Sequence, residues 1–175
     1  KKVTMELGSN SPLIVMPDAD LNKVINATIA TGYANSGQVC ISAQRILADR
    51  SLYSDFLDGL KVGVETIKLG NPITDNAQMG PMITEKEAIR VGEWVSAAVD
   101  GGARVLTGGN REGSMFAPTI VADVKPEMRV SCEELFGPAV AVTPVDNIEN
   151  AIALANDSEF GLSASIFTQN IDWAM

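Results

Sequence analysis

Ser11-Pro12-Leu13-Ile14-Val15-Met16-Pro17-Asp18-Ala19-Asp20-Leu21 is a short apolar run closed by a proline on each side and followed at once by two acidic candidates for a helix cap. An apolar run of this length between turn residues reads as a buried strand over 11–16. Asp18 and Asp20 then open a helix to about Tyr33, with Leu21, Val24, Ile25 and Ile29 on its inner side. Strand followed directly by helix is the unit from which parallel sheets are built. The same unit recurs. Arg45 to Asp49 reads as a strand, and from Ser51 a helix follows with Leu57, Leu60, Val64 and Ile67 on one face.

Further along, Asn71 to Ile83 carries two prolines and Gly80 and reads as a connecting loop. Thr84 with Glu87 forms a capping box for a helix whose core face is Ala88, Val91, Val95 and Ala98. Strands are expected at Arg104 to Leu106 and Thr119 to Val124, with a turn over Gly108 to Gly113 and a short helical stretch over Met128 to Glu133. Pro138 to Pro144 is the next strand, and Asp146 with Glu149 caps a helix facing inward through Ile148, Ala151, Ile152 and Ala155. Leu162 to Phe167 is the last strand, and residues 3 to 7 add a short one at the start. The alternation predicts an α/β fold, a largely parallel sheet flanked by helices, in one domain over residues 1–175.

Composition narrows the chemistry. With 22 acidic against 13 basic side chains, net charge −9, the mean field repels phosphate backbones and anionic lipid, so nucleic acid is not an expected partner. The apolar stretches are far shorter than the roughly 20 residues of a membrane span, and no signal-peptide pattern opens the chain. Two cysteines without metal-type spacing favour a reducing, cytoplasmic setting. No histidine is present, so Ser-His-Asp and Cys-His machinery and any imidazole metal site cannot be built from this chain alone. A base in this chain is a carboxylate, a lysine or a water. Lys1 stands where an initiator methionine would, and Asn170 to Met175 opens a helical pattern without a stop, so the natural protein is expected to extend in both directions.

Three segments could carry chemistry. In Met5-Glu6-Leu7-Gly8 a carboxylate set between apolar neighbours would be partly desolvated and able to act as a base, although a glutamate on the solvated face of an edge strand is the commoner arrangement. In Asn35-Ser36-Gly37-Gln38-Val39-Cys40 a glycine-opened turn can present the sulfur to a pocket and to backbone N–H donors. Cysteine is also a small hydrophobe that is often buried and inert. In Cys132-Glu133-Glu134-Leu135-Phe136-Gly137-Pro138 a carboxylate can accept from sugar hydroxyls and the aromatic can pack beside a ribose or a planar ring; solvated acidic residues beside a helix end are the ordinary alternative. Cys132 itself reads as a packing residue. Neither GxGxxG nor GxxxxGK occurs, so phosphates would be held elsewhere.

Taken in order, Glu6-Leu7-Gly8-Ser9-Asn10-Ser11-Pro12, Gly37-Gln38-Val39-Cys40, Glu133-Glu134-Leu135-Phe136-Gly137-Pro138 and Phe160-Gly161-Leu162-Ser163 resemble the aldehyde dehydrogenase superfamily over essentially the whole chain. The resemblance implies the family's catalytic-domain fold, truncated at both ends and without its cofactor-binding domain. It implies that Cys40 attacks an aldehyde, that hydride passes to NAD or NADP, and that Glu6 activates the water that hydrolyses the resulting thioester. It casts Glu134, Phe136 and Leu7 as cofactor contacts, with no metal. The cofactor would be bound mainly by the missing domain, and the full-length protein is expected to be a homodimer or homotetramer. The isolated fragment is expected to be inactive. Where most members carry Gly-Gly after Glu-Leu, this chain has Gly8-Ser9, for which a local shift is expected. A Cys/Glu thioesterase or amidase and a non-catalytic interaction domain are the competing readings.

Overall fold

The computed structural model describes residues 1–5 and 7–175; Glu6, the expected base, lies outside the described residues. In chain order the elements are β1 Pro12–Val15, α1 Leu21–Gly32, a short 3-10 turn Ala34–Gly37, β2 Arg45–Asp49, α2 Tyr53–Val64, α3 Glu85–Asp100, β3 Arg104–Thr107, β4 Arg111–Glu112, β5 Met115–Phe116, β6 Thr119–Ala122, α4 Arg129–Cys132, β7 Ala139–Val145, α5 Ile148–Asn156, β8 Ser165–Phe167 and α6 Ile171–Ala174. Six strands form one sheet in the order β3-β6-β7-β2-β1-β8. Every pairing in it is parallel except β3 with β6, the antiparallel edge, where the register shifts between Val105 and Thr107. The expected α/β fold with a largely parallel, helix-flanked sheet is what the chain adopts.

Side-chain alternation along the strands divides the core between the two faces of the sheet. Leu13 and Val15 of β1, Ile46 and Ala48 of β2, and Val140 and Val142 of β7 face α1 and α2, where Val24, Phe56, Leu57, Leu60 and Val64 meet them. On the opposite face, Ala139 and Ala141 of β7 and Val121 of β6 meet Ala88, Val91, Trp94, Val95 and Ala98 of α3. Ile14, Leu47 and Val145 meet Ile148 and Ala151 of α5 on that same side. Strands buried on both faces read as near-continuous apolar runs, which is why they were visible in the sequence. The caps at Asp20 and Thr84 are as expected, accepting from Lys23 N and Glu87 N.

Several expectations need correction. No strand forms among the described residues of 3–7; Val3, Met5 and Leu7 are exposed, and no sheet neighbour lies beside them to accept a ladder. Gly108 to Gly113 is not a plain turn, because Arg111–Glu112 pairs with Met115–Phe116 in a small hairpin. The helix after β7 is capped by Asn147, which accepts from Asn150 N, while Asp146 is drawn to Arg50 instead. Ile152 of that helix is 46% exposed, so its inward face is narrower than the periodicity suggested. Cys132 is exposed and not a packing residue, because the four-residue α4 turns its C-terminal end outward.

Candidate active site

The Cys40 turn begins where α1 ends. Asn35, Ser36 and Gly37 all lie in the left-handed region, at φ 49°, 58° and 67°. Left-handed backbone at two non-glycine residues costs of order 1 kcal/mol each and persists only where surrounding contacts hold it. Those contacts are present. Ser36 Oγ donates to Gly80 O at 2.7 Å, and the Asn35 and Gln38 side chains each donate to the other's carbonyl at 3.2 and 3.1 Å. Gln38 Oε1 accepts from Ile83 N at 2.8 Å.

Gly37 meets a second requirement: a Cβ there would lie 2.0 Å from Gly137 O. Only glycine lets this turn close onto the 133–137 segment. Cys40 follows, half-buried, with Ser42 N bonded to Val39 O across it. Among the described residues the N–H groups of Cys40 and Ile41 have no acceptor, so the Cys40 turn carries donors that could serve a developing oxyanion.

The segment Glu133-Glu134-Leu135-Phe136-Gly137 has no helix or strand of its own, so its backbone polar groups are satisfied by side chains from elsewhere. Asn10 Nδ2 donates to Ser131 O and, at 3.5 Å, to Glu133 O. Gln44 Nε2 donates to Glu133 O at 2.8 Å, and Gln44 Oε1 accepts from Leu135 N at 2.8 Å and Phe136 N at 3.4 Å. Arg90 Nη2 donates to Leu135 O at 2.7 Å. On the outer side Trp94 is flanked by the guanidinium groups of Arg90 and Arg129, 4.8 and 4.1 Å from its ring centroid. Arg129 forms a two-pronged pair with Glu133, and that hydrogen bond holds the Glu133 carboxyl below its ordinary range.

Glu134 points the other way, toward the start of the chain. Its Oε1 accepts from Ser9 N at 2.9 Å, and Oε2 would lie 2.6 Å from a Cβ on Gly8. The contact uses Ser9 backbone only, so serine in place of the family's second glycine is accommodated. Its hydroxyl turns away to Ser11 Oγ at 2.8 Å, which in turn accepts from Ser163 Oγ at 3.0 Å. Phe136, with φ 47°, is 37% exposed, and Leu7 is 67% exposed.

Four segments far apart in sequence therefore converge. Residues 8–11, the Cys40 turn, the Glu134 segment and Ser163 are tied to one another by Asn10, Gln44, Gly37 and the serine hydroxyls. Buried Arg45 anchors the approach to the last of these, donating to Leu154 O and Ala155 O at the end of α5. Glu6 precedes Gly8 by two positions in the sequence and lies outside the described residues.

Two apolar hollows flank β1. One, about 420 Å³, is lined by Ile14, Ile152, Ala155, Phe160 and Leu162. The other, about 240 Å³, is lined by Leu13, Thr31, Ile41, Ala43 and Phe167. Neither holds Cys40 or Glu134; the second reaches Ile41, next to the thiol. Asn10, Gln44 and Arg90 were not singled out in the sequence. The only trace Gln44 left there is an amide directly before an apolar strand, a position where burial demands partners. Among the described residues no group of acidic or cysteine side chains could hold a metal ion, and no helix is long and apolar enough to cross a membrane.

A family model described as "Aldehyde dehydrogenase family" matches residues 1–175. The chain is 45% identical over 175 residues to a 3-sulfolactaldehyde dehydrogenase of Priestia aryabhattai, an alignment covering 100% of this chain and 37% of that one. A crystal structure of lactaldehyde dehydrogenase from Escherichia coli superposes with a TM-score of 0.94 at 41% identity, over 97% of this chain and 36% of that one. Betaine aldehyde dehydrogenase from Staphylococcus aureus, solved in complex with NAD+, gives 0.91 at 35% identity, over 97% and 35%. The chain spans just over a third of the length of the curated relative it matches at 45% identity.

Proposed function

Because the chain belongs to the aldehyde dehydrogenase family, we propose that it is the catalytic part of a longer NAD(P)-dependent enzyme that oxidises an aldehyde to a carboxylic acid. The observation that carries this reading is the locking of the Cys40 turn onto the Glu134 segment, through Gly37 against Gly137 and through Gln44. Cys40 and Glu134 precede the adjacent parallel strands β2 and β7, and these contacts tie their two segments together at that end of the sheet, which supports a thiol and a ribose-binding carboxylate serving one site.

In the proposed reaction the Cys40 sulfur adds to the aldehyde carbon, and the carbonyl oxygen takes the negative charge beside the N–H groups of the turn that have no acceptor among the described residues. The nicotinamide, when bound, accepts the hydride that leaves this carbon. A thioester remains on Cys40. Glu6 removes a proton from water, the water oxygen attacks the acyl carbon, and the Cys40 thiolate departs as the acid forms. Glu134 fits the cofactor role on a structural ground: one carboxylate oxygen is fixed by Ser9 N, and the other has no hydrogen bond among the described residues and can accept from a ribose hydroxyl. Phe136 and Leu7 would pack beside the ring system from their exposed positions. No histidine is required at any step, in keeping with its absence.

The activity is proposed for the full-length, cytoplasmic, homo-oligomeric protein, with the 175-residue chain alone expected not to turn over. Relatives named for 3-sulfolactaldehyde and lactaldehyde make small 2-hydroxyaldehydes the first substrates to assay. The test is a Glu6→Gln variant of the full-length enzyme mixed with aldehyde and NAD or NADP. A single burst of reduced cofactor with an acyl mass on the peptide containing Cys40 is expected. Acylation of Cys40 by an ester or amide without any aldehyde-dependent cofactor reduction in the wild type would point to a hydrolase and sink the proposal.

A further inference from the structure

Gln44 stands in an unusual relation to Glu134. The carbonyl of Glu133 and the N–H of Leu135 belong to the two peptide units on either side of the Glu134 α-carbon, and both are bound by the one Gln44 amide, at 2.8 Å each. Fixing both planes fixes the backbone dihedrals between them, and with these the direction in which the Glu134 side chain leaves the backbone. The same amide oxygen also accepts from Phe136 N. Gln44 is 5% exposed, and its own carbonyl accepts from Ala141 N at 2.8 Å, so the clamp is anchored in the central strand pair. It lies four positions after Cys40, at the exit of the nucleophile turn.

We propose that Gln44 is a positioning residue that sets the ribose-binding geometry of Glu134 and Phe136 relative to the Cys40 turn, so that cofactor affinity depends on a side chain remote from the cofactor. This rests on the function proposed above. An amide suits the position because the arrangement demands one donor and one acceptor from the same buried group. A carboxylate supplies only the acceptor and a thioether neither in useful strength. The buried N–H of Leu135 has no water to turn to if the amide is lost, so the segment would shift to find it a partner.

The experiment uses the full-length enzyme with Gln44→Met, which keeps length and apolar volume, and Gln44→Glu, which keeps the acceptor for Leu135 and Phe136 but faces the Glu133 carbonyl with no donor. Three quantities are read: KM and Kd for the nicotinamide cofactor, KM for the aldehyde, and the hydrolysis rate of an activated aryl ester, which acylates Cys40 without hydride transfer. Gln44→Met is expected to raise cofactor KM and Kd about tenfold, the loss expected from unpairing a buried hydrogen-bonded group, while ester hydrolysis and aldehyde KM stay within about twofold. Gln44→Glu should fall between Met and wild type.

Equal losses in all three quantities, or a lower thermal midpoint with unchanged cofactor Kd, would show a merely structural residue and overturn the proposal. Should Gln44→Met not fold, Gln44→Glu decides alone: an unchanged cofactor Kd overturns it and a raised one supports it. Failure of the function itself reads differently, as a wild type that never reduces cofactor with any aldehyde. Cofactor Kd by fluorescence still reports on Gln44 in that case.

Discussion

Cys40 and Cys132 are the two thiols of the chain, and neither is in a disulfide. Cys40 is half-buried on a turn whose backbone is pinned on both sides, by Gly37 against Gly137 before it and by Gln44 after it. Cys132 ends a four-residue helix in the open, its sulfur 3.7 Å from Glu127 O. The more accessible thiol is thus the one held, among the described residues, only by local contacts, to Glu127 O and Met128 O a few residues before it. What sets the proposed nucleophile apart is the set of contacts that hold its backbone and the N–H groups of its turn, which have no acceptor among the described residues; exposure alone would choose Cys132.

The largest expected effect tests that difference directly. In the full-length enzyme Cys40→Ser should lower aldehyde-dependent cofactor reduction by about 10⁴-fold or more, since nucleophile loss removes the covalent route altogether. Cys132→Ser should stay within about twofold, as exposed substitutions away from special contacts generally do. A comparable loss from both would erase the distinction.

Next comes the packing that fixes the Cys40 turn. Gly37→Ala places a methyl against Gly137 O and forces alanine into positive φ, at a cost of roughly 2–4 kcal/mol from strain and overpacking together. A thermal midpoint equal to wild type, with activity retained, would mean that the close approach of the two glycines is not what holds the turn.

A smaller effect should be visible in the thiols themselves. On exposure alone an alkylating agent modifies Cys132 first; an activated Cys40 should nevertheless react about tenfold faster near neutral pH. Peptide mapping after brief exposure to iodoacetamide gives the order, and faster labelling of Cys132 would count against the proposed role of Cys40.

The smallest effect concerns the Arg129–Glu133 pair beside Cys132. Glu133 is held below its ordinary carboxyl range in the fold, so at acidic pH the unfolded chain binds more protons than the folded one. The pair's contribution is therefore complete above the unfolded carboxyl value, near pH 4.5, and is lost as pH falls through the lower folded value. Both partners are well exposed, so solvent screening keeps it small. Arg129→Ala should flatten the acid limb of the stability curve slightly, on top of a pH-independent loss from the Trp94 ring that the guanidinium covers.

The same contrast shows how far the amino-acid order could be read. The strands at β1, β2 and β7 announced themselves because burial on both faces demands unbroken apolar runs, and the caps at Asp20 and Thr84 because they act within a few residues. The expected strand at 3–7 and the cap at Asp146 failed for one reason. A strand needs a neighbour to pair with, and a cap competes with other partners, here Arg50. Neither condition is local.

The residues of the chain, read in order, determined the layered α/β architecture, the exclusion of imidazole chemistry and, through its motifs, the family and the choice of Cys40, Glu6 and Glu134 as candidates. Only the tertiary structure decided that Asn10, Gln44, Ser9 and Arg90 hold the Glu134 segment, that Gly37 is needed for its contact with Gly137, and that Cys132 stands in the open. Periodicity reports which face of an element is buried, because neighbours three or four apart share it. It carries no record of which polar group, some ninety positions away, will satisfy a backbone amide in a segment that has no ladder of its own.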